Sequence, residues 1–219
     1  MTASSYAIAI DGPAASGKSS IAKALAAQLD IGFISTGDAY RAAAWLATTR
    51  GLDPGCEEDV LEAIARSSFE YVWENSLARI AVDGRPLAAE LRHDTVNASV
   101  SRVASLPGVR RLLVALQRAA ASGRNVVMEG RDIGTVVLAD TPYKFYIDAS
   151  PEERQRRRAA EGQVDCVAER DRADSGRRDS PLALAGDAQL IDTTGISIAE
   201  AVQIILGHLE AAGIRPPAA

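Results

Sequence analysis

Eight consecutive residues, Gly12-Pro13-Ala14-Ala15-Ser16-Gly17-Lys18-Ser19, carry the clearest chemistry in the chain. Two glycines let the backbone curl so that successive N–H groups point inward. A turn of this kind in front of a helix gathers phosphate oxygens, because the helix adds its positive end to the ring of donors. An ammonium at Lys18 suits the β- and γ-phosphates of a nucleoside triphosphate, and the Ser19 hydroxyl suits a magnesium ion held with them. The surroundings agree with a phosphate-binding loop rather than a plain glycine turn. The apolar run Tyr6-Ala7-Ile8-Ala9-Ile10 leads into it, and Ser20-Ile21-Ala22-Lys23-Ala24-Leu25 continues as a helix.

Arginine is the second chemical signal. Lysine occurs only at Lys18, Lys23 and Lys144 among 24 basic residues, so nearly all the cationic capacity is guanidinium. The arginines cluster at Arg154, Arg156, Arg157 and Arg158 and again at Arg170, Arg172, Arg177 and Arg178. Guanidinium forks match phosphate oxygens bidentately, while the interleaved Glu152, Glu153, Glu169 and Asp171 equally suit solvated ion pairs. A net charge of −5 argues against broad attraction to a nucleic-acid backbone. The two cysteines, Cys56 and Cys166, have no ligand spacing, no apolar run approaches a membrane span, and the first residues lack a signal-peptide pattern. The expected setting is the cytoplasm, with small-molecule partners, no nucleic acid, no membrane and a monomeric state.

Positioning these groups requires alternating strands and helices, the pattern of a parallel sheet flanked by helices. Strands are expected over 6–10, 32–35, 125–128, 143–148 and 190–192, with helices over 19–29, 39–48, 57–66, 95–106, 107–122 and 198–211. The short second strand feeds Thr36-Gly37-Asp38. Between 69 and 82 the period changes: Phe69-Glu70-Tyr71-Val72-Trp73 and Ala78-Arg79-Ile80-Ala81-Val82 bracket Glu74-Asn75-Ser76, an antiparallel hairpin inserted into the α/β chain, with a further turn at Asp83-Gly84-Arg85-Pro86. Ser150-Pro151-Glu152-Glu153 reads as a capping box, which puts the first arginine cluster on a helix with Arg154, Arg157 and Arg158 on one face. From 162 to 179 charge replaces hydrophobic periodicity, as in a mobile surface arm. The fold expected is α/β: a three-layer P-loop NTPase-type fold around a central parallel sheet, in a single domain over 1–219. A β-containing insertion forms an acceptor lobe at about 37–106, and a short mobile lid arm lies at about 159–180.

The guanine-reading Asn-Lys-x-Asp of Ras-like GTPases is missing, and no long strand ends in the Asp-Glu of motor-type ATPases. What remains is the equipment of a small kinase with a phosphorylated acceptor: a phosphate loop, converging arginines, an acceptor lobe and an arm that excludes water. At this point the motifs resemble one family. Ala9-Ile10-Asp11-Gly12-Pro13, Ser35-Thr36-Gly37-Asp38-Ala39-Tyr40-Arg41, Met128-Glu129-Gly130-Arg131-Asp132-Ile133-Gly134-Thr135 and Arg170-Asp171-x-x-Asp174-Ser175-x-Arg177 are similar, in order and along essentially the whole chain, to the signatures of bacterial cytidylate kinases. Ser180-Pro181-Leu182, Ala188 and Asp192-Thr193-Thr194 extend the likeness. The acidic residue that the family usually carries before the Thr-Gly pair stands after it here, as Asp38.

The resemblance implies transfer of the ATP γ-phosphoryl group to CMP or dCMP with Mg2+, within the nucleoside monophosphate kinase superfamily. A UMP/CMP kinase or shikimate kinase is the alternative. It implies an ATP cradle of Gly12, Pro13, Ala14, Ala15, Ser16, Gly17, Lys18, Ser19 and Ser20, joined by Arg157, with Ser19 on the metal. For the acceptor it implies Arg41, Arg131 and Arg177 at the phosphate. Ser101, Arg110 and Asp132 fall near the base, Arg170 and Asp174 near the ribose, and Thr36 and Tyr40 complete the set. Lys18, Arg131, Asp132 and Arg177 are the catalytic candidates. The same residue types also suit local roles: Arg41 a surface pair, Ser101 an ordinary helix position, and Asp132 a cap for the turn at Gly134.

Overall fold

In a computed structural model, residues 5–160, 171–172, 174–176 and 180–217 are described, and they divide into two compact units. Unit 1 comprises Met1–Phe33 and Gly123–Ala219, and unit 2 is the intervening Ile34–Ser122.

Unit 1 is built on parallel strands. β1 (Ala7–Asp11) pairs on one side with β6 (Val126–Gly130) and on the other with β7 (Lys144–Asp148), which in turn pairs with β8 (Gln189–Asp192). β2 (Gly32–Ser35) starts beside β6, where the Gly32 amide donates to the Asn125 carbonyl at 2.9 Å. Ile8, Ala9, Ile10, Val126, Val127, Met128 and Ile147 are all fully buried, as expected of parallel strands that are covered on both faces. α1 (Lys18–Leu29) and α7 (Ile198–Ala211) pack against each other, and Ile21, Ala22, Leu25, Ala201, Val202 and Ile205 recur at helical spacing on their buried faces. A complete capping box starts α7, with Ser197 and Glu200 exchanging side-chain and backbone hydrogen bonds.

α6 (Pro151–Ala160) begins with half of the box expected there. Ser150 Oγ accepts from the Glu153 amide at 3.2 Å, but the Ser150 amide donates to Thr194 Oγ1 and the Glu153 carboxylate turns to Arg156 and Arg157. With two guanidinium groups within reach, the carboxylate gains stronger charge-assisted bonds than an amide offers. Arg154 and Arg158 are buried on α6 and Arg157 is partly buried, so the expected face does turn inward.

Unit 2 holds α2 (Thr36–Thr49), α3 (Glu57–Ala65), the antiparallel hairpin β3 (Phe69–Glu74) and β4 (Leu77–Val82), α4 (Asp94–Val103) and α5 (Pro107–Ala121). The expected hairpin is present in register, Phe69 opposite Val82 and Glu74 opposite Leu77. Asp83-Gly84 turns the chain into a two-residue strand, β5 (Arg85–Pro86), where only a turn was expected. The helix expected from residue 39 begins three residues earlier, with Thr36-Gly37-Asp38 as the first turn of α2 and Asp38 well placed at the positive helix end. Ala39, Ala42, Ala43, Ala44 and Ala47 have no exposed surface, and their small side chains let α3 and α4 approach α2 closely. Among the described residues no helix is long and apolar enough to cross a membrane.

Candidate active site

The loop between β1 and α1 is shaped by β7. A Cβ placed on Gly12 would lie 2.1 Å from the Ile147 carbonyl oxygen, so no larger residue fits there. Ala15 takes a left-handed conformation with φ 58°, and Gly17 another, with φ 89°, at the start of α1. Within this curl the Lys18 ammonium donates to the Pro13 carbonyl at 3.0 Å, and the Ser16 hydroxyl is fully buried without a hydrogen-bond partner among the described residues. Gly12, Pro13, Ala14 and Lys18 are buried, whereas Ser19 and Ser20 are exposed on the first turn of α1. A buried hydroxyl with no partner and a lysine turned onto its own loop are the groups that phosphate oxygens satisfy. The exposed Ser19 hydroxyl suits a cation that arrives with those oxygens.

α6 braces the loop from outside. Arg157 donates to the Ser16 carbonyl at 3.0 Å and to the Thr193 carbonyl and hydroxyl at 2.6 and 3.1 Å, while Thr193 Oγ1 itself donates to the Ser16 carbonyl at 3.0 Å. Arg154 donates to the Ala149 and Ala14 carbonyls at 3.1 and 3.3 Å and pairs with Asp171, whose other oxygen accepts from the Ala14 amide at 3.2 Å. Sequence reasoning missed Thr193 and Asp171 as loop contacts. Only their place in the family motifs singled them out.

β6 delivers the next groups. Glu129 is its buried penultimate residue, and Arg131 and Asp132 follow the strand directly. The Arg131 guanidinium donates to the Asp174 carboxylate at 2.7 Å, and Asp174 is 4% exposed. After Asp132 the chain makes one wide turn, Ile133–Val137, in which the Val137 and Leu138 amides reach back five residues. The amides that open this turn, of Ile133 and Gly134, donate to the two oxygens of Asp11 at 2.7 Å each. Asp132, at the cap position, makes no side-chain cap bond. The local capping role that its residue type allowed therefore belongs to Asp11. Burial pushes the Asp11 carboxyl up from 3.8 to about 6, with Asp132 adding to the push. The Gly134 and Ile133 amides and the Lys18 ammonium oppose it.

In unit 2 the acceptor candidates also gather. Arg41, on α2, donates to the Leu91 carbonyl at 3.2 Å and to Asn97 Oδ1 at 2.5 Å. The ring of the preceding residue, Tyr40, lies 5.3 Å from the guanidinium carbon of Arg110, which also donates to the Ala104 carbonyl at 3.1 Å. Thr36, Tyr40, Arg41 and Arg110 are buried and Ser101 is partly so. Arg41 is buried rather than at the surface, where its residue type also suited it. Arg170 and Arg177 lie outside the described residues, as does most of the expected lid arm.

The family described as cytidylate kinase matches residues 8–211. The chain belongs to the cytidylate kinase family. A cytidylate kinase of Streptomyces griseus subsp. griseus is 40% identical over 216 residues, covering 94% of each chain. That of Pelotomaculum thermopropionicum is 43% identical over 219 residues, covering 93% of this chain and 96% of its own. Among solved structures, TT1252 from Thermus thermophilus is 20% identical with a TM-score of 0.50, covering 95% of this chain and 98% of its own. A gluconokinase from Sinorhizobium meliloti 1021 is 15% identical with the same TM-score, covering 94% and 93%. These two share the fold, an α/β P-loop architecture, as expected from the alternation of strands and helices. In cytidylate kinase terms, the phosphate loop, the Arg131-Asp132 turn and the α2 motif all fall inside the matched span.

Proposed function

We propose that this protein transfers the γ-phosphoryl group of ATP to CMP or dCMP, giving the nucleoside diphosphate and ADP. The observation that carries the reading is the family match over residues 8–211, which takes in the phosphate loop and every acceptor motif together. Transfer of a phosphoryl group has a loose transition state, so the protein acts by positioning and by neutralising charge. Gly12 to Ser20 cradle the ATP phosphates, and the Lys18 ammonium exchanges the Pro13 carbonyl for oxygens of the migrating group. Ser19 would hold the magnesium ion that accompanies ATP, and the ion would supply further charge neutralisation there. Arg157 acts on ATP through the Ser16 carbonyl that it holds.

For the acceptor, Arg41, Arg131 and Arg177 are assigned to the phosphate and Arg170 to the ribose by their motifs. Asp174 serves the ribose, Asp132, Ser101 and Arg110 read the base, and Thr36 and Tyr40 line the same acceptor. Cytosine offers an amino donor and a ring-nitrogen acceptor where uracil presents the reverse. Two reversed polarities, at about 1–3 kcal/mol each, favour CMP over UMP by roughly 10²- to 10⁴-fold in kcat/KM. The enzyme is read as a cytoplasmic monomer acting on these two small substrates.

The test is an acceptor panel of CMP, dCMP, UMP, AMP and GMP with ATP and magnesium, followed by ADP release. Good turnover with CMP and dCMP, poor with UMP and negligible with purines is the expected pattern. Equal use of UMP moves the enzyme to the UMP/CMP class, and no nucleotide turnover removes the reading.

A further inference from the structure

The Asp11 carboxylate is an expensive way to close a turn. It is 4% exposed, stands at the last position of β1 opposite Gly130 of β6, and is raised in pKa mainly by its own burial. Its two oxygens take the Ile133 and Gly134 amides at 2.7 Å each. Those amides open a turn whose cap position is already filled by an aspartate, the residue type that caps such turns with its own carboxylate. A local cap from Asp132 needs no buried charge brought from another strand, least of all beside a loop built to bind phosphates. Yet Asp132 makes no cap bond.

Gly134 shows how closely the arrangement is fitted. A Cβ there would lie 3.3 Å from Asp11 Oδ2 and 3.2 Å from Lys144 Cδ. The carboxylate thus ties the end of the strand that enters the phosphate loop to the turn that carries Arg131 and Asp132.

We propose that Asp11 is a positioning residue for the acceptor: by taking the cap of the turn after Asp132, it commits the Asp132 carboxylate and the Arg131 guanidinium to the acceptor nucleotide. The proposal rests on the reading of Arg131 and Asp132 as acceptor residues. Through them Asp11 links the geometry of the ATP loop to that of the acceptor, although it touches neither substrate. When Asp11 is replaced by asparagine, one amide keeps an oxygen acceptor and the other faces an amide donor. The turn then recaps on Asp132, which is drawn off the base.

The experiment is steady-state kinetics on the full chain for wild type, Asp11→Asn, Asp132→Asn and the double variant, with CMP and UMP as acceptors. ATP binding is measured separately by calorimetry. Asp11→Asn should lower kcat/KM for CMP by about 10²-fold and compress the CMP-to-UMP ratio by about tenfold or more, with ATP affinity within about twofold of wild type. The double variant should be no worse than Asp132→Asn alone, because one residue acts through the other. A purely structural role would lower CMP and UMP use equally and multiply with the Asp132 loss, and either result overturns the proposal. So does a normally folded Asp11→Asn enzyme with unchanged CMP kinetics. If Asp11→Asn does not fold, Gly134→Ala, which displaces the same carboxylate by a few tenths of an ångström, carries the test with the same expected compression of selectivity. A wild-type protein that phosphorylates some acceptor but not CMP removes the functional reading alone. The coupling between Asp11 and Asp132 is then scored on the acceptor that it does use.

Discussion

Replacing Asp11 by asparagine should change how the stability of this protein responds to pH, in a direction opposite to that of an ordinary ion-paired carboxylate. Burial holds the native carboxyl at about 6 against 3.8 for an unperturbed one. Between those two values the folded chain keeps a proton that the unfolded chain releases, so the native state binds more protons and stability falls as pH rises. About two pKa units at 1.36 kcal/mol each give a loss of about 3 kcal/mol between roughly pH 3 and pH 7, most of it crossed above about pH 4. Asparagine does not titrate. The stability of Asp11→Asn relative to wild type should therefore improve by about 2 kcal/mol between roughly pH 4 and pH 7, whatever constant offset the mismatched amide adds. The assay is urea unfolding followed by far-UV circular dichroism at a series of pH values. Tryptophan emission is unsuitable, because Trp45 and Trp73 both lie in unit 2 and Asp11 lies in unit 1. A difference between the two proteins that stays flat from pH 4 to pH 7 would refute the buried, proton-holding carboxyl.

Other substitutions have separable outcomes. Lys18→Ala should lower phosphoryl transfer by about 10²-fold or more with a normal circular dichroism spectrum, and near wild-type turnover in a folded variant would remove the loop from the mechanism. Arg131→Ala loses a charge-assisted contact worth roughly 1.5–3 kcal/mol to the acceptor, so kcat/KM for CMP should drop about 10- to 150-fold while ATP affinity holds. Equal losses for both substrates would argue against the assignment. Arg157→Ala removes one donor to the Ser16 carbonyl and leaves that of Thr193, and calorimetry should find ATP bound several-fold more weakly with CMP affinity unchanged. Ala15 sits at φ 58°, so Ala15→Gly should be neutral or stabilising by up to about 1 kcal/mol in thermal unfolding, and a clear destabilisation would contradict the left-handed geometry.

The parts legible in the sequence are those governed by short-range rules. The apolar run ending at Asp11, the glycines around it and the helix from Lys18 announce the phosphate loop, and the period-two runs around Asn75 give the hairpin in its observed register. Glycine and aspartate are poor helix formers, which sets the expected start of α2 at residue 39, but a first helical turn tolerates both where the dipole favours the acid. Ser150 and Glu153 have the spacing of a capping box. Glu153 instead gives its carboxylate to Arg156 and Arg157, three and four residues further along the same helix, and it is Thr194, distant in sequence, that takes the Ser150 amide. Asp11 is the clearest case. Its place in a motif marks it, but its partners are the amides of Ile133 and Gly134, more than a hundred residues away in the chain, and no local pattern announces them.

The chain completes unit 1 only after it has made the whole of unit 2. β1 finds its neighbour β6 across a gap that separates Tyr6 from Asn125 by 119 residues, and the Asp11 contact spans slightly more. On the ribosome the strand that enters the phosphate loop thus emerges before either of its sheet neighbours, β6 and β7, and waits while residues 34–122 are synthesised. Unit 2 is contiguous, and its hairpin and its α2–α3 pair close over much shorter stretches of chain than β1 and β6 do. Once it has folded, the ends of a long, floppy loop become the ends of a compact body, and the entropy of closing β1 on β6 shrinks accordingly. Assembly of the nucleotide cradle is in this sense licensed by the inserted unit, and substitutions deep in its alanine-rich core should appear as slow maturation of activity long before they appear as loss of either substrate's affinity.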